Sequence, residues 1–202
     1  VLHKLRFLGW LVCAVYSTIP AYWLMIHPRA GYWRAQARSP YRVLLPGWAV
    51  ILTIVLLSTA RWRRILLYEN NWAWIGAVVL FTIGAWLYKA GGANFGLKQL
   101  QGTPELSRGH GEQRLVTSGI RSCVRHPVYL AHLCEMLAWS IGTGLVVCHA
   151  LTMLSIITGA IMIRSEDSEL EERFGELYRE YREQVPAVIP RLCCRGKANL
   201  SG

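Results

Sequence analysis

What most constrains this chain is a series of apolar blocks, each close to the roughly 20 residues a helix needs to cross a bilayer. They run from about Leu5 to Ile26, Val43 to Ala60, Trp72 to Lys89 and Pro127 to Ile163. The last contains only His132, Glu135 and His149 among charge-bearing residue types and is too long for one crossing. Gly142-Thr143-Gly144 divides it into helices near 127–141 and 145–163. The expectation is an all-α, polytopic membrane helix bundle of about five spans, the last two a helical hairpin. Apolar residues make up 53% of the 202-residue chain and the mean hydropathy is +0.27, which does not fit a soluble globular domain.

The flanks agree. Pro20 is expected to kink the end of the first span. The segment from His27 to Arg42 mixes Arg29, Arg34, Arg38 and Arg42 with Tyr32, Trp33 and Tyr41, and the third span is flanked by Trp72, Trp74, Trp86 and Tyr88, as at a headgroup layer. A net charge of +10 raises the question of nucleic acid. The Lys and Arg residues, however, sit in short loops beside apolar spans, so membrane lipids with anionic headgroups are the simpler partner and no nucleic acid is expected. The basic start followed by an apolar run resembles a signal peptide only superficially, because the run to Ile26 is long and Ser17-Thr18-Ile19-Pro20 is no small-residue cleavage site.

A hairpin returns the chain to the face it left, so the loop before Arg125 and the segment after Arg164 share one face. That face collects Arg29, Arg34, Arg38, Arg42, Lys98, Arg108, Arg114, Arg121, Arg125 and the basic tail, against Lys4, Arg6, Arg61, Arg63 and Arg64 on the other. The positive-inside rule then puts the long loop and the C-terminus in the cytoplasm. Six cysteines make no zinc spacing and no metal is expected. Cys193-Cys194 in the basic tail reads as a pair of reduced thiols, with S-acylation as the alternative.

Two polar stretches remain. From Gly91 to Arg125 the chain is broken by Gly91-Gly92, Gly102, Pro104, Gly109, Gly111 and Gly119, and it far exceeds the median connection of about 4–6 residues. It ends at Arg125-His126-Pro127, where Pro127 suits the first position of a helix. A cation, an imidazole and the Tyr129 phenol thus gather where free backbone N–H groups point outward. After the last span, residues 165–185 read as one interfacial amphipathic helix with Leu170, Phe174, Leu177, Tyr178, Tyr181 and Val185 on one stripe. Glu169–Arg173 and Glu176–Arg179 can pair on its outer face, and Val185 to Ile189 can pack back on it. The domain division is residues 1–90 as three membrane spans and 91–202 as the working part, one integrated unit.

The motif G-x-x-x-x-V-R-H-P-V-Y-L, an apolar hairpin, and then E-D-S-E-L-E-E-R-F-G-E-L-Y-R-E-Y-R-E-Q-V-P-A-V-I-P resemble the isoprenylcysteine carboxyl methyltransferase and phospholipid methyltransferase group of integral-membrane enzymes. The resemblance covers roughly Leu115 to Pro190, and before Gly91 only the hydropathy agrees. It implies methyl transfer from S-adenosylmethionine, with S-adenosylhomocysteine as product, to a lipophilic acceptor such as an isoprenylcysteine carboxylate or a phospholipid-type amine headgroup. Carried over residue by residue, it implies that Arg125, His126, Pro127 and Tyr129 line the cofactor, that Leu115, Val116 and Gly119 wrap it, and that Glu166 and Asp167 form the acidic pair. Carboxylates suit the ammonium and ribose of that cofactor, Arg125 or the helix start suits its carboxylate, and the rings of Tyr129 and His126 suit its sulfonium.

Departures from the family pattern are Asp167 for Glu, Arg121 for Tyr and Ala131 for Gly. Arg121 reads first as a surface charge and otherwise as an answer to a substrate phosphate or carboxylate; Ala131 implies slightly looser helix packing. Arg164 reads either as a snorkelling residue or as the group that orients the acceptor. A carboxylate acceptor needs no base, whereas an amine needs one, for which Glu135, Glu166 or Tyr129 is available. His132 and Glu135 each cost at least roughly 2.5 kcal/mol at membrane depth and are neighbours on one helix face. At about 100° per residue, Glu135 falls about opposite His126, so an interhelical polar contact is the first reading and a substrate cleft the second. Two other functions are weighed: an intramembrane sterol-type NADPH reductase, against which stand the short chain and a tail lacking that pattern, and a non-enzymatic membrane scaffold, for which Glu166 would be expendable.

Overall fold

The computed structural model describes residues 2–36, 39–92 and 115–190. The stretch carrying Lys98, Gly102, Pro104, Arg108, Gly109, Gly111 and Arg114 lies outside them, as do Arg38 and the Cys193-Cys194 pair. The described elements are helical: α1 (Leu2–Ile26), a 3₁₀ turn (His27–Arg29), α2 (Ala30–Ala35), α3 (Tyr41–Thr59), α4 (Ala73–Gly92), α5 (Pro127–Thr143), α6 (Val146–Phe174) and α7 (Glu176–Gln184). One isolated antiparallel bridge joins Leu66 to Leu145.

Among the described residues four helices are long and apolar enough to cross a membrane: Leu2–Ala35, Tyr41–Trp62, Ala73–Gly92 and Val146–Phe174. The expected fifth, α5, has 17 residues. At about 1.5 Å per residue that is roughly 26 Å, at the short end of the range of about 17–25 residues that crosses a bilayer. The first span reaches Ile26 as expected, with Pro20 inside the helix. One expectation is corrected: α4 continues through Gly91-Gly92 rather than ending before them.

The bundle core is apolar and small. Trp10, Cys13 and Ala14 of α1 pack with Met136 of α5 and with Val147, Cys148 and Leu151 of α6. Lipid supplies no hydrophobic drive between helices, so close approach and polar contacts must hold them. A Cβ at Gly84 of α4 would stand 3.0 Å from Glu135 Cγ, and one at Gly91 would stand 3.0 Å from Pro127 Cγ. This explains Ala131: it is fully buried beside Gly84, so α4 provides the small residue and the packing is not looser there. Trp10 donates to Thr59 Oγ1 at 3.0 Å and Trp48 to Thr18 Oγ1 at 3.0 Å, tying α1 to α3. The outer faces of α3 and α4 expose Val50, Ile54, Leu57, Ile75, Val78 and Val79, the apolar surface a bilayer would cover.

The hairpin turns where expected. Gly144 caps α5 in the left-handed region (φ +64), and a side chain there would collide with the carbonyl of Tyr68. Leu67 N–H donates to Gly144 O at 2.8 Å and Val146 N–H to Ile65 O at 3.1 Å, so the loop after α3 closes this end. At the opposite end α4 finishes against the start of α5, and α6 runs past its apolar part into a charged extension, residues 164–174. The single amphipathic helix expected over 165–185 is instead two pieces. The first is continuous with the span; Gly175 (φ +58, ψ −132) breaks it and α7 follows. Tyr178, Tyr181 and Val185 are buried with Leu170 and Phe174 packed against them, as the stripe predicts, whereas Leu177 and Ile189 are exposed.

Candidate functional site

Pro127 starts α5 and leaves Arg125 and His126 at its mouth, with His126 as the N-terminal flanking residue (φ −114, ψ 63). The charged extension of α6 brings Glu166 and Asp167 to the same point. Arg125 Nη2 donates to Asp167 Oδ2 at 2.8 Å, and His126 Nε2 meets Asp167 Oδ1 at 3.2 Å. His126 Nδ1 lies 3.2 Å from Glu166 Oε2. Arg125, His126 and Asp167 are all buried. Residues 41 positions apart in the chain thus form one ion network at the membrane edge.

The chemistry of that network follows from hydrogen-bond capacity. A neutral imidazole offers one donor and one acceptor, and its acceptor nitrogen would face an anionic oxygen here. Only the imidazolium satisfies both carboxylates. Burial by itself would lower the His126 pKa, but the charges of Glu166 and Asp167 and their hydrogen bonds raise it to about 9. His126 is therefore a cation clamped between two acids.

Asp167 has little capacity left. Beyond Arg125 and His126 it accepts a hydrogen bond from the buried Tyr178 hydroxyl. Burial, followed by this bond to a carboxylate, raises the Tyr178 pKa. Arg182 Nε stands 3.9 Å from Asp167. Asp167 thus organises the mouth. Glu166 differs: its side chain is 29% exposed and Oε1 has no partner among the described residues. Arg125 Nε is the complementary feature, a buried donor without an acceptor among the described residues.

A strap closes the mouth from the C-terminal side. Arg125 N–H donates to Pro186 O at 2.9 Å and His126 N–H to Ala187 O at 3.0 Å. The Arg125 guanidinium also donates to the carbonyls of Arg182 and Val185. Tyr181 donates to Arg121 O at 2.6 Å, and Arg121 Nη1 to Arg125 O at 3.0 Å. Arg121 is half-buried, with its pKa lowered by burial, so the expected surface charge is corrected to a structural brace. Leu115 packs on the Tyr178, Tyr181 and Val185 cluster. Val116 follows it, half-buried, and Gly119 opens a 3₁₀ turn with φ +65.

Tyr129 turns toward α6: its hydroxyl donates to Ser155 O, and Gly159 leaves room for the ring. Glu135 does not join this cluster. Nine residues beyond His126, it lies roughly 13 Å further along the helix axis. It accepts from Tyr16 of α1 at 3.0 Å, while His132 sits edge-on between Tyr16 and Tyr88 at 4.8 and 5.2 Å. That is the interhelical polar contact. Arg164 is exposed, with no ion pair among the described residues. His149 caps back on Leu145 O at 2.9 Å near the hairpin turn.

The sequence reading missed a second buried cluster. Glu169, expected on an outer face with Arg173, is buried: Oε2 meets His27 Nδ1 at 2.8 Å, Oε1 meets Arg34 Nη2 at 2.7 Å, and Arg173 lies at 3.4 Å. Its counterpart Glu176–Arg179 is exposed as expected, at 2.6 Å. The available signal was an ionisable His27 directly after a span.

The fold is that of a polytopic helical membrane protein, and its candidate site lies where a helix mouth meets an acidic helix extension. The chain matches the phospholipid methyltransferase family over residues 72–177, and it belongs to that family. It is 38% identical over 81 residues to a protein-S-isoprenylcysteine O-methyltransferase of Xenopus laevis, covering 38% of this chain and 27% of that one. Against protein-S-isoprenylcysteine O-methyltransferase B of Arabidopsis thaliana the identity is 32% over 82 residues, covering 38% and 40%. The cobalt-zinc-cadmium resistance protein CzcN of Cupriavidus metallidurans is 31% identical over 171 residues, covering 82% and 72%. The chain thus spans well under half the length of the two methyltransferases. No solved structure matches.

Proposed function

We propose that this chain is an integral-membrane methyltransferase that takes its methyl group from S-adenosylmethionine and gives it to a lipophilic carboxylate. The observation that carries the reading is the Arg125–His126–Glu166–Asp167 network, which is buried except at Glu166 and lies wholly inside the family-matched segment. The family match gives no support to the nicotinamide reductase or scaffold alternatives.

The residues present fit the cofactor. The unpartnered Arg125 Nε and the first-turn amides of α5 are donors for its carboxylate, and Glu166 Oε1 is an acceptor for its ammonium or ribose hydroxyls. Bound there, the cofactor supplies an electrophilic methyl group on a sulfonium. Tyr129 supports it as the aromatic face, whereas the His126 cation acts through Glu166 and Asp167. Leu115, Val116 and Gly119 border the mouth, and the 186–187 strap excludes water from one side.

Proton bookkeeping favours the carboxylate acceptor. Methylation of an amine needs a base, and the three candidates are poorly suited: Tyr129 is engaged with Ser155 and Glu135 with Tyr16, while Glu166, whose Oε1 is open, has its pKa lowered, against the effect of burial, by the His126 charge and is a weak base. A carboxylate arrives already anionic and needs only orientation, for which Arg164 at the end of the apolar part of α6 is suited. The names of the isoprenylcysteine relatives agree with this. The cytoplasmic placement of the mouth rests on the loop charges.

The test is calorimetric binding of S-adenosylhomocysteine to the purified protein in lipid, followed by methyl transfer to farnesylcysteine and to phosphatidylethanolamine. The expected result is saturable binding and a base-labile methyl ester on the farnesylcysteine. Absence of binding by a folded chain refutes the methyltransferase reading, and transfer only to the amine refutes the acceptor.

A further inference from the structure

We propose that His27 and Arg34 are positioning residues for Glu166, acting through Glu169, so that the first span helps set cofactor affinity. The inference rests on the reading that Glu166 faces the cofactor. Glu166 and Glu169 are three residues apart on α6 and share a helix face, so the rotation that aims one aims the other. Glu169 is held from two directions by the N-terminal part, with His27 Nδ1 on Oε2 at 2.8 Å and Arg34 Nη2 on Oε1 at 2.7 Å. His27 is itself fixed: its side chain is 3% exposed and its ring stacks on Trp23 at 5.1 Å with an interplanar angle of 17°.

The placement of the clamp gives it leverage. Residues 164–174 project beyond the apolar part of α6, and their apolar side chains Leu170 and Phe174 pack toward Tyr178 and Tyr181 of α7. Asp167 secures them toward Arg125 and His126, Glu171 secures them toward α7 through Arg179 and Arg182, and Glu169 alone of the three secures them to the N-terminal helices. His27 and Arg34 lie outside the family-matched residues 72–177, whereas Glu169 lies inside them. The N-terminal spans thus supply groups to a site whose recognisable motif is entirely in the second half. Without the clamp, Glu169 keeps Arg173 and the extension is held only from the α5 and α7 sides, so that it can shift away from the N-terminal helices and carry Glu166 Oε1 off its line. A displacement of about 1 Å at such a group is enough for large losses in affinity or rate.

The experiment compares S-adenosylhomocysteine binding and the two KM values in wild type, His27→Ala, His27→Gln and Arg34→Gln, each melted without ligand. Arg6→Ala, which breaks the Arg6–Glu69 pair at the opposite end, is the control. The expected result is roughly tenfold weaker binding and a matching rise in the cofactor KM for His27→Ala. The acceptor KM should be unchanged, and His27→Gln, which keeps a donor, should recover most of the loss. Arg34→Gln should show the same pattern with the His27 pair intact, which keeps the test decisive if His27→Ala does not fold. Folded His27→Ala or Arg34→Gln that binds as wild type does overturns the proposal. So does a loss equally large in Arg6→Ala, or one that tracks melting temperature alone. Failure of wild type to bind is a different outcome: it removes the methyltransferase reading and this inference with it.

Discussion

Of the groups at the helix mouth, His126 is the one whose charge can be switched off without a mutation. In the unfolded chain its pKa is about 6.5. In the fold, Glu166 and Asp167 outweigh burial and hold it at about 9. A folded-state pKa above the unfolded value stabilises the fold fully below the unfolded value, and the stabilisation is lost as pH rises through the folded one. At about 1.4 kcal/mol per pH unit, the interval between the two values corresponds to roughly 3 kcal/mol. That figure belongs to the whole trio and is counted once. Equilibrium unfolding in mixed micelles, in steps from about pH 6 to about pH 10, measures it as wild type minus His126→Gln, so that titrations common to both chains cancel. The difference should be flat near pH 6, shrink through pH 7–9 and lose roughly 3 kcal/mol by pH 10. A difference that is constant with pH, or that grows with it, would mean His126 is neutral in the fold and would refute the two-acid clamp.

Asp167→Asn leaves Arg125 as a buried, uncompensated cation and should cost about 3–5 kcal/mol in the same unfolding assay. Gly159→Ala puts a methyl group into the Tyr129 ring. It should cost about 1–3 kcal/mol, and the double variant with Tyr129→Val should recover part of that, measured by melting. Glu135→Gln and Tyr16→Phe should leave S-adenosylhomocysteine affinity within about twofold of wild type, because their contact lies deep in the bundle, and should cost stability by about 1 kcal/mol. A tenfold loss of affinity in either would restore Glu135 to the site.

The helices were legible because bilayer thickness sets their length and Gly142-Thr143-Gly144 marks the turn. So was the length of α5, expected over 127–141 and found over Pro127–Thr143, because Gly144 of the same turn caps it. The meeting of Arg125 and His126 with Glu166 and Asp167 was readable from the motifs and the hairpin together. How the four share their hydrogen bonds was not, since Asp167 and Glu166 are equivalent as letters and differ only in which oxygen remains open. Glu169 was misread for a similar reason. An i,i+4 partner in Arg173 satisfied the local pattern, while the stronger partners, His27 and Arg34, came from more than 130 positions away. The Gly175 break was hidden inside an intact hydrophobic stripe.

The two backbone hydrogen bonds from Arg125 and His126 to Pro186 and Ala187 also set an order of events during synthesis. Helices α1 to α6 can enter the bilayer as each emerges, and their contacts with one another are complete once α6 has been made. The mouth of α5 cannot close then, since its backbone partners are translated some 60 residues later. Until residues 176–187 follow, Arg125 has neither its strap nor the Tyr178 that shares Asp167. Insertion and competence are therefore separate steps, and a chain stopped at Gly175 would have its apolar helices in place and an unfinished mouth.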